Sequence, residues 1–111
     1  MTTSEKASRE EKTIRSVLDR TELYWERYTP SVPIVADLLI VHGYFQHGSI
    51  FRDLSEYLAN FGISTTMFDL RGHGKSGGTR GYIQAWEDYV QDFEAALATL
   101  DGSRPCFCHW K

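Results

Sequence analysis

The chain has 111 residues, 41% of them hydrophobic and 24% charged, with a formal net charge of −3. This length is one small domain at most, and the acidic balance argues against a nucleic-acid or anionic-membrane surface, which would need clustered Lys and Arg. The polar start, MTTSEKASREEK, lacks the apolar run of a signal peptide, and no stretch reaches the ~18 apolar residues of a spanning helix, so a cytoplasmic location without a transmembrane segment is expected.

Residues 1–13 read as a solvated polar tail or a frayed helix. From Glu22 to Tyr28 the run ELYWERY sets Leu23 and Trp25 on one face and Tyr24 and Tyr28 on the other, which suits a strand. Pro30 and Pro33 then break the chain, since neither can donate to a ladder. ADLLIVHG, from Ala36 to Gly43, holds an unbroken apolar run from Leu38 to Val41, the mark of a strand covered on both faces.

A helix is predicted from Ser49 to Phe61. Ser49 caps it, Ile50, Phe51, Leu54, Leu58 and Phe61 fall at helical spacing, and Gly62 closes it. ISTTMFDL, from Ile63, is β-branched and reads as a second inner strand. After a glycine-rich loop, Ala85 to Leu100 is predicted helical, with Trp86, Tyr89, Val90, Phe93, Leu97 and Leu100 forming one apolar stripe before Gly102 and Pro105 end it. PCFC, from Pro105, opens a third apolar run.

Strand, helix, strand, helix, strand implies successive crossovers, hence a mostly parallel sheet with helices on both faces, an α/β layout. It is short for that layout, which usually needs about twice this length to bury both faces. Cys106 and Cys108 are expected to point to opposite sides of their strand, which argues against a bridge between them. With His109 they offer three metal ligands without a fourth, so the simpler reading is two small buried residues at a strand start, and no metal is expected.

FDLRGHGKSGG, from Phe68 to Gly78, resembles two motifs at once. A phosphate-binding loop ending in Gly74-Lys75-Ser76 would need its first glycine at position 69, which is Asp69, and a helix directly after Ser76, where Gly77 and Gly78 stand instead. Read as G-x-S-x-G, the stretch lacks a strand running straight into Gly74, because Arg71, Gly72 and His73 intervene. A triad of Ser76, Asp92 and His109 can be drawn in order, but nothing in the spacing brings the three together. The alternative is a tight turn after an inner strand, with Asp69 and Arg71 making local hydrogen bonds.

Two blocks resemble the serine α/β-hydrolase superfamily, in its monoacylglycerol lipase, lysophospholipase and serine aminopeptidase (S33) branch. LLIVHGYFQHGSIFRDLSEYLANFG is similar to the family's third strand, His-Gly loop and first helix. ISTTMFDLRGHGKSGGTRG is similar to the fourth strand and its D-x-R-G-H-G-x-S-x-G loop, and WEDYVQDFEAAL to the helix that follows. One departure is Arg20, which stands where many relatives place a glycine turn. The resemblance implies that residues 14–111 are the N-terminal portion of an α/β-hydrolase domain, incomplete and truncated before the nucleophile elbow.

In that family acyl transfer builds negative charge on a carbonyl oxygen, which backbone N–H groups fixed in advance stabilise. The resemblance makes the N–H of Tyr44 the first oxyanion-hole donor, in a loop shaped by His42 and Gly43, with His47 in a structural role. RPCFCHWK does not resemble the Gly-His-Ser continuation, so the nucleophile, acid and base are absent from these residues. The parent activity implied is cleavage of carboxylic esters, of monoacylglycerol or lysophospholipid type, through an acyl-enzyme, without metal, nucleotide or other cofactor. The chain alone is expected to be inactive. Two rivals stand beside this: a binding or regulatory fragment that pairs through its open sheet edge, self-association included, and a small esterase that uses Ser76.

Overall fold

The computed structural model describes residues 8–17, 19–42, 52–72, 75–78 and 86–110, with His42, His109 and Trp110 by backbone alone. β3 (Ala36–His42) is an inner strand, and its apolar run is divided between two cores. Leu39 and Val41 join Leu23, Phe68, Leu70, Ala95 and Ala96 on one face, while Ile40 joins Tyr28 and Met67 on the other, with Leu38 packed beside them. Strand periodicity sends alternate residues to opposite faces, so a strand covered on both sides needs apolar residues throughout.

Parallel neighbours flank β3. β4 (Ile63–Asp69) lies on one side, from Ala36↔Ile63 to His42↔Asp69. β5 (Cys106–Trp110) lies on the other, from Asp37↔Cys106 to Val41↔Trp110. β2 (Glu22–Thr29) pairs antiparallel with β4, and the sheet order is β1-β2-β4-β3-β5. The crossover from β3 to β4 runs one way along the sheet and that from β4 to β5 runs back over β3. Crossovers of one hand then place their helices on opposite faces. Accordingly α1 (Arg52–Ala59) sends Arg52 to Glu26 on the Tyr28 face, and α2 (Trp86–Leu97) packs Ala95 and Ala96 into the Leu39 core.

The expected tail is different in the structure: Ser8–Arg15 forms β1, paired residue by residue with β2 from Ser8↔Thr29 to Arg15↔Glu22. β1 is an edge strand and mostly exposed, so it carries no apolar alternation for a sequence reading to find. Cross-strand contacts hold it instead. Arg9 Nε donates to Glu26 Oε2 at 2.6 Å, and the Lys12 ammonium sits 4.5 Å from the centre of the Trp25 ring.

The β1–β2 turn is closed by Ser16 N–H donating to the Thr21 carbonyl at 2.9 Å, with Asp19 Oδ1 accepting from Thr21 N–H at 3.1 Å. Arg20 sits there at φ 61°, a left-handed conformation that costs an L side chain roughly 1–2 kcal/mol. Arg20→Gly is therefore expected to stabilise the chain by about 0.5–1 kcal/mol, read as a higher urea midpoint at unchanged slope. A lower midpoint would show that the Arg20 side chain contributes more than its backbone costs.

The helices are rotated from their expected faces. In α1, Ser55 and Ala59 are buried and Leu58 half-buried, while Leu54 and Phe61 are exposed; Ser49, Ile50 and Phe51 lie outside the described residues. In α2 the predicted stripe splits. Tyr89, Phe93 and Leu100 pack against the Leu39 core, whereas Trp86, Val90 and Leu97 are exposed. Apolar residues spread widely around both helices, so periodicity alone does not decide which part of the stripe meets the sheet. Small residues at the contact, and the buried Asp92, decide it.

Cys106 and Cys108 are exposed, not buried, and they share one face of β5 because residues two apart on a strand point the same way.

Candidate functional site

In an open α/β sheet the binding crevice lies beyond the carboxyl ends of the strands, where connections from neighbouring strands diverge to opposite faces. Here the connection after β3 leads to α1, while β5 is reached from α2 on the other face. The carboxyl ends brought together there are His42 of β3, Asp69 of β4 and Trp110 of β5, with His42 opposite Asp69 and Val41 opposite Trp110. The chain leaves His42 into Gly43, Tyr44 and His47, which lie outside the described residues, as does the His42 side chain.

The glycine loop is described at residues 71–72 and 75–78, and its serine is fully engaged. Ser76 Oγ donates to the Asp69 carbonyl at 2.5 Å and accepts from the Tyr24 N–H at 2.9 Å. Gly72 N–H donates to the Gly77 carbonyl, and Gly77 N–H to the Glu22 carbonyl, each at 2.7 Å. Lys75 N–H donates to Asp69 Oδ2 at 3.1 Å. The buried hydroxyl thus ties β4 to β2. The local hydrogen bonds expected of Asp69 are present.

Arg71 does not act locally. Its Nε and Nη2 donate to the two carboxylate oxygens of Asp92 at 2.9 and 2.7 Å, and its Nη1 donates to Asp19 at 2.7 Å. Nη2 also reaches Ser16 Oγ at 3.1 Å. One guanidinium therefore joins the β1–β2 turn, the glycine loop and α2. Its hydrogen bond to Asp92 raises its pKa despite burial, and the Arg71 bond holds Asp19 well below the carboxylate range. With Asp92 consumed by Arg71, Ser76 bonded to backbone and His109 on β5, the structure does not assemble the triad drawn from the sequence.

A second polar cluster surrounds Glu26, a position that sequence patterning does not single out. Glu26 is fully buried on β2 and accepts from Arg9, from Tyr28 Oη at 2.8 Å, from Tyr24 Oη at 3.1 Å and from Arg52 Nε at 3.2 Å. The sequence signal was a charged residue between Trp25 and Tyr28 in an otherwise aromatic strand. Burial and the Glu26 charge push both tyrosines up to about 12. Burial pushes Glu26 up as well, but Arg9 and the two tyrosine hydroxyls outweigh it and hold the carboxyl below its ordinary value.

A depressed carboxylate stabilises the fold fully above its unfolded pKa, and that contribution is lost as pH falls through the lower folded value. Glu26→Gln is therefore expected to destabilise at pH 7, with the gap to the parent chain shrinking below about pH 4. Urea unfolding at pH 7 and at pH 3.5 checks this; a gap independent of pH would show that Glu26 acts by packing alone.

Among the described residues there is no group of three or more metal-ligating side chains, and no helix long and apolar enough to cross a membrane. Residues 33–108 match the family described as serine aminopeptidase, S33. The chain is 30% identical over 91 residues to an uncharacterized abhydrolase domain-containing protein of Dictyostelium discoideum, covering 82% of this chain and 10% of that protein. It is 24% identical over 83 residues to a monoacylglycerol lipase of Mycolicibacterium smegmatis, covering 75% of the chain and 30% of the lipase. A carboxyl esterase from Bacillus coagulans superposes with a TM-score of 0.79 at 18% identity, over 91% of this chain and 35% of the esterase. The chain thus spans between 10% and 35% of the length of these relatives. With its two matching blocks, its sheet order and its family match in agreement, the chain belongs to the serine aminopeptidase S33 branch of the α/β-hydrolase superfamily, as an N-terminal portion of that fold.

Proposed function

We propose that these residues supply the first half of an oxyanion hole to a carboxylic-ester hydrolase acting on monoacylglycerol- or lysophospholipid-type esters. The Tyr44 N–H is the donor, and His42 and Gly43 shape its loop. The single observation that carries this is the position of β3: it lies between β4 and β5, is buried on both faces and ends at the divergence of the two crossovers. A donor anchored on such a strand is held rigidly, as stabilisation of a developing oxyanion requires. The nucleophile, acid and base are not among these 111 residues, and the chain alone is inactive. Cytoplasmic location belongs to the same proposal.

The experiment is fluorophosphonate labelling of the purified 111-residue chain and its Ser76→Ala variant, with turnover of a p-nitrophenyl ester measured alongside. Neither protein is expected to label, and turnover should match buffer, since loss of a hydrolase nucleophile costs on the order of 10⁶ in rate. Labelling abolished by Ser76→Ala would make Ser76 the nucleophile and overturn the assignment.

A second reading, a fragment that pairs through its sheet edge, is favoured by the contrast between the two edges. β1 (SREEKTIR) is mostly charged, as edges that resist pairing are, whereas β5 (CFCHW) carries no Asp, Glu, Lys or Arg. The partner under this reading is a second copy of the chain.

A further inference from the structure

Two positions break the apolar pattern where α1 meets the sheet. α1 buries Ser55 and Ala59 on the side that carries Arg52, since positions i, i+3 and i+7 fall on one helix face. β4 turns Thr65 and Met67 towards the Tyr28 core, because Thr65 stands opposite both Tyr28 and Leu38 and residues two apart share a face. Ser55 and Thr65 are each 0% exposed, and neither hydroxyl oxygen has a hydrogen-bond partner. This chain's own residues enclose both groups, so the pair belongs to this fold in any longer chain that contains it.

The register of α1 over β4 brings the two hydroxyls together. α1 packs on β4 and β2, and it descends antiparallel to β3 and β4 because these two strands are parallel and it connects them. Arg52 marks its level, since Arg52 Nε donates to Glu26 Oε2 at 3.2 Å and Glu26 stands opposite Met67. From Arg52 to Ser55 the helix descends about 4.5 Å, and from Met67 back to Thr65 the strand descends about 6.7 Å. Ser55 and Thr65 therefore meet at one level of the interface. Alanine and valine would fill the same volumes without the cost of desolvating two hydroxyls. Native interiors leave few buried polar groups unbonded, and ordered water is a common partner for those that the protein does not satisfy.

We propose that one water molecule binds between α1 and β4, bridging Ser55 Oγ and Thr65 Oγ1. A hydroxyl both donates and accepts, so a single water satisfies the two side chains together. Two neutral hydroxyls on the face of Leu38, Ile40 and Met67 do not offset the dehydration of an ion, which selects water as the ligand. The bridge pins the middle of α1 to β4, just below the point where Arg52 ties the start of the helix to Glu26 on β2.

Oxygen-17 magnetic relaxation dispersion counts waters held longer than the molecule tumbles, and exchanging hydroxyl protons do not contribute to it. Ser55→Ala combined with Thr65→Val is expected to lose one such water relative to the parent chain. Ser55→Ala alone, which suits the helix, is the second variant and should lose the same water. Urea unfolding reads the site independently. With water bound, the near-isosteric Thr65→Val is expected to raise the unfolding constant about fivefold, the net worth of one hydrogen bond. Without it, the same change removes an unbonded buried hydroxyl and lowers that constant. Equal water counts in the parent and the double variant overturn the proposal, as does a Thr65→Val chain more stable than the parent. Neither readout involves turnover, so both outcomes are independent of the hydrolase assignment.

Discussion

Replacing Arg71 with methionine is expected to destabilise the chain by about 3–5 kcal/mol, enough to unfold much of it at 25 °C if its stability is ordinary for its size. The cost lies less in the lost attraction than in what remains. Asp92 is fully buried in α2, and Arg71 meets both of its carboxylate oxygens, at 2.7 and 2.9 Å. Without the guanidinium that charge is desolvated and uncompensated. Arg71→Lys is expected to recover less than half of the loss, because an ammonium cannot match the two-pronged contact to Asp92 while also reaching Asp19 and Ser16. Arg71→Met combined with Asp92→Leu should recover most of it, since an apolar pair of similar volume removes the stranded charge. Urea unfolding of the four proteins checks the series. A cost below about 1 kcal/mol for Arg71→Met would mean that Asp92 finds water or another partner when Arg71 is gone.

Gly62→Ala is expected to cost about 2–4 kcal/mol, from two additive sources. The residue sits at φ 81°, where an L side chain is disfavoured, and a Cβ placed there would lie 2.6 Å from the Pro33 carbonyl oxygen. That oxygen belongs to the backbone and cannot swing aside. The segment is also held by Val35 N–H donating to the Gly62 carbonyl at 2.8 Å and by Gly62 N–H donating to the Ala59 carbonyl at 3.1 Å. Relieving the clash therefore moves either the end of α1 or the entry to β3. Gly102, where an added Cβ meets nothing within 4 Å, is the control, and Gly102→Ala should fall within ~0.5 kcal/mol of the parent. Equal effects at the two glycines would show that neither the left-handed backbone nor the Pro33 contact costs stability at Gly62.

The sequence by itself determined the elements that bury themselves by composition. The run Leu38 to Val41 is apolar at every position, so it had to be an inner strand, and it is. The alternation in Glu22 to Tyr28 assigned Leu23 and Tyr28 to opposite faces, and they lie in separate cores. Strand and helix order implied a mostly parallel sheet, and the β3–β4 and β3–β5 pairings are parallel. Reading the glycine loop as a structural turn was possible because each rival motif makes strict demands on its neighbours. The Ser76 bonds to the Asp69 carbonyl and the Tyr24 N–H fit that reading.

Tertiary structure alone decided the rest. β1 is polar on both faces and exists because β2 offers it a ladder, an interaction between backbones that side-chain patterning does not record. The rotation of α2 depends on one long-range pair, Arg71 with Asp92, which contact order places beyond any local window. Glu26 reads as an exposed charge in a strand until Arg9, Tyr24, Tyr28 and Arg52 converge on it from three elements. Local propensity and burial period act over a few residues and are written in the chain. Charge pairing and edge pairing act between distant segments, and only the folded arrangement selects which of the many chemically possible partners meet.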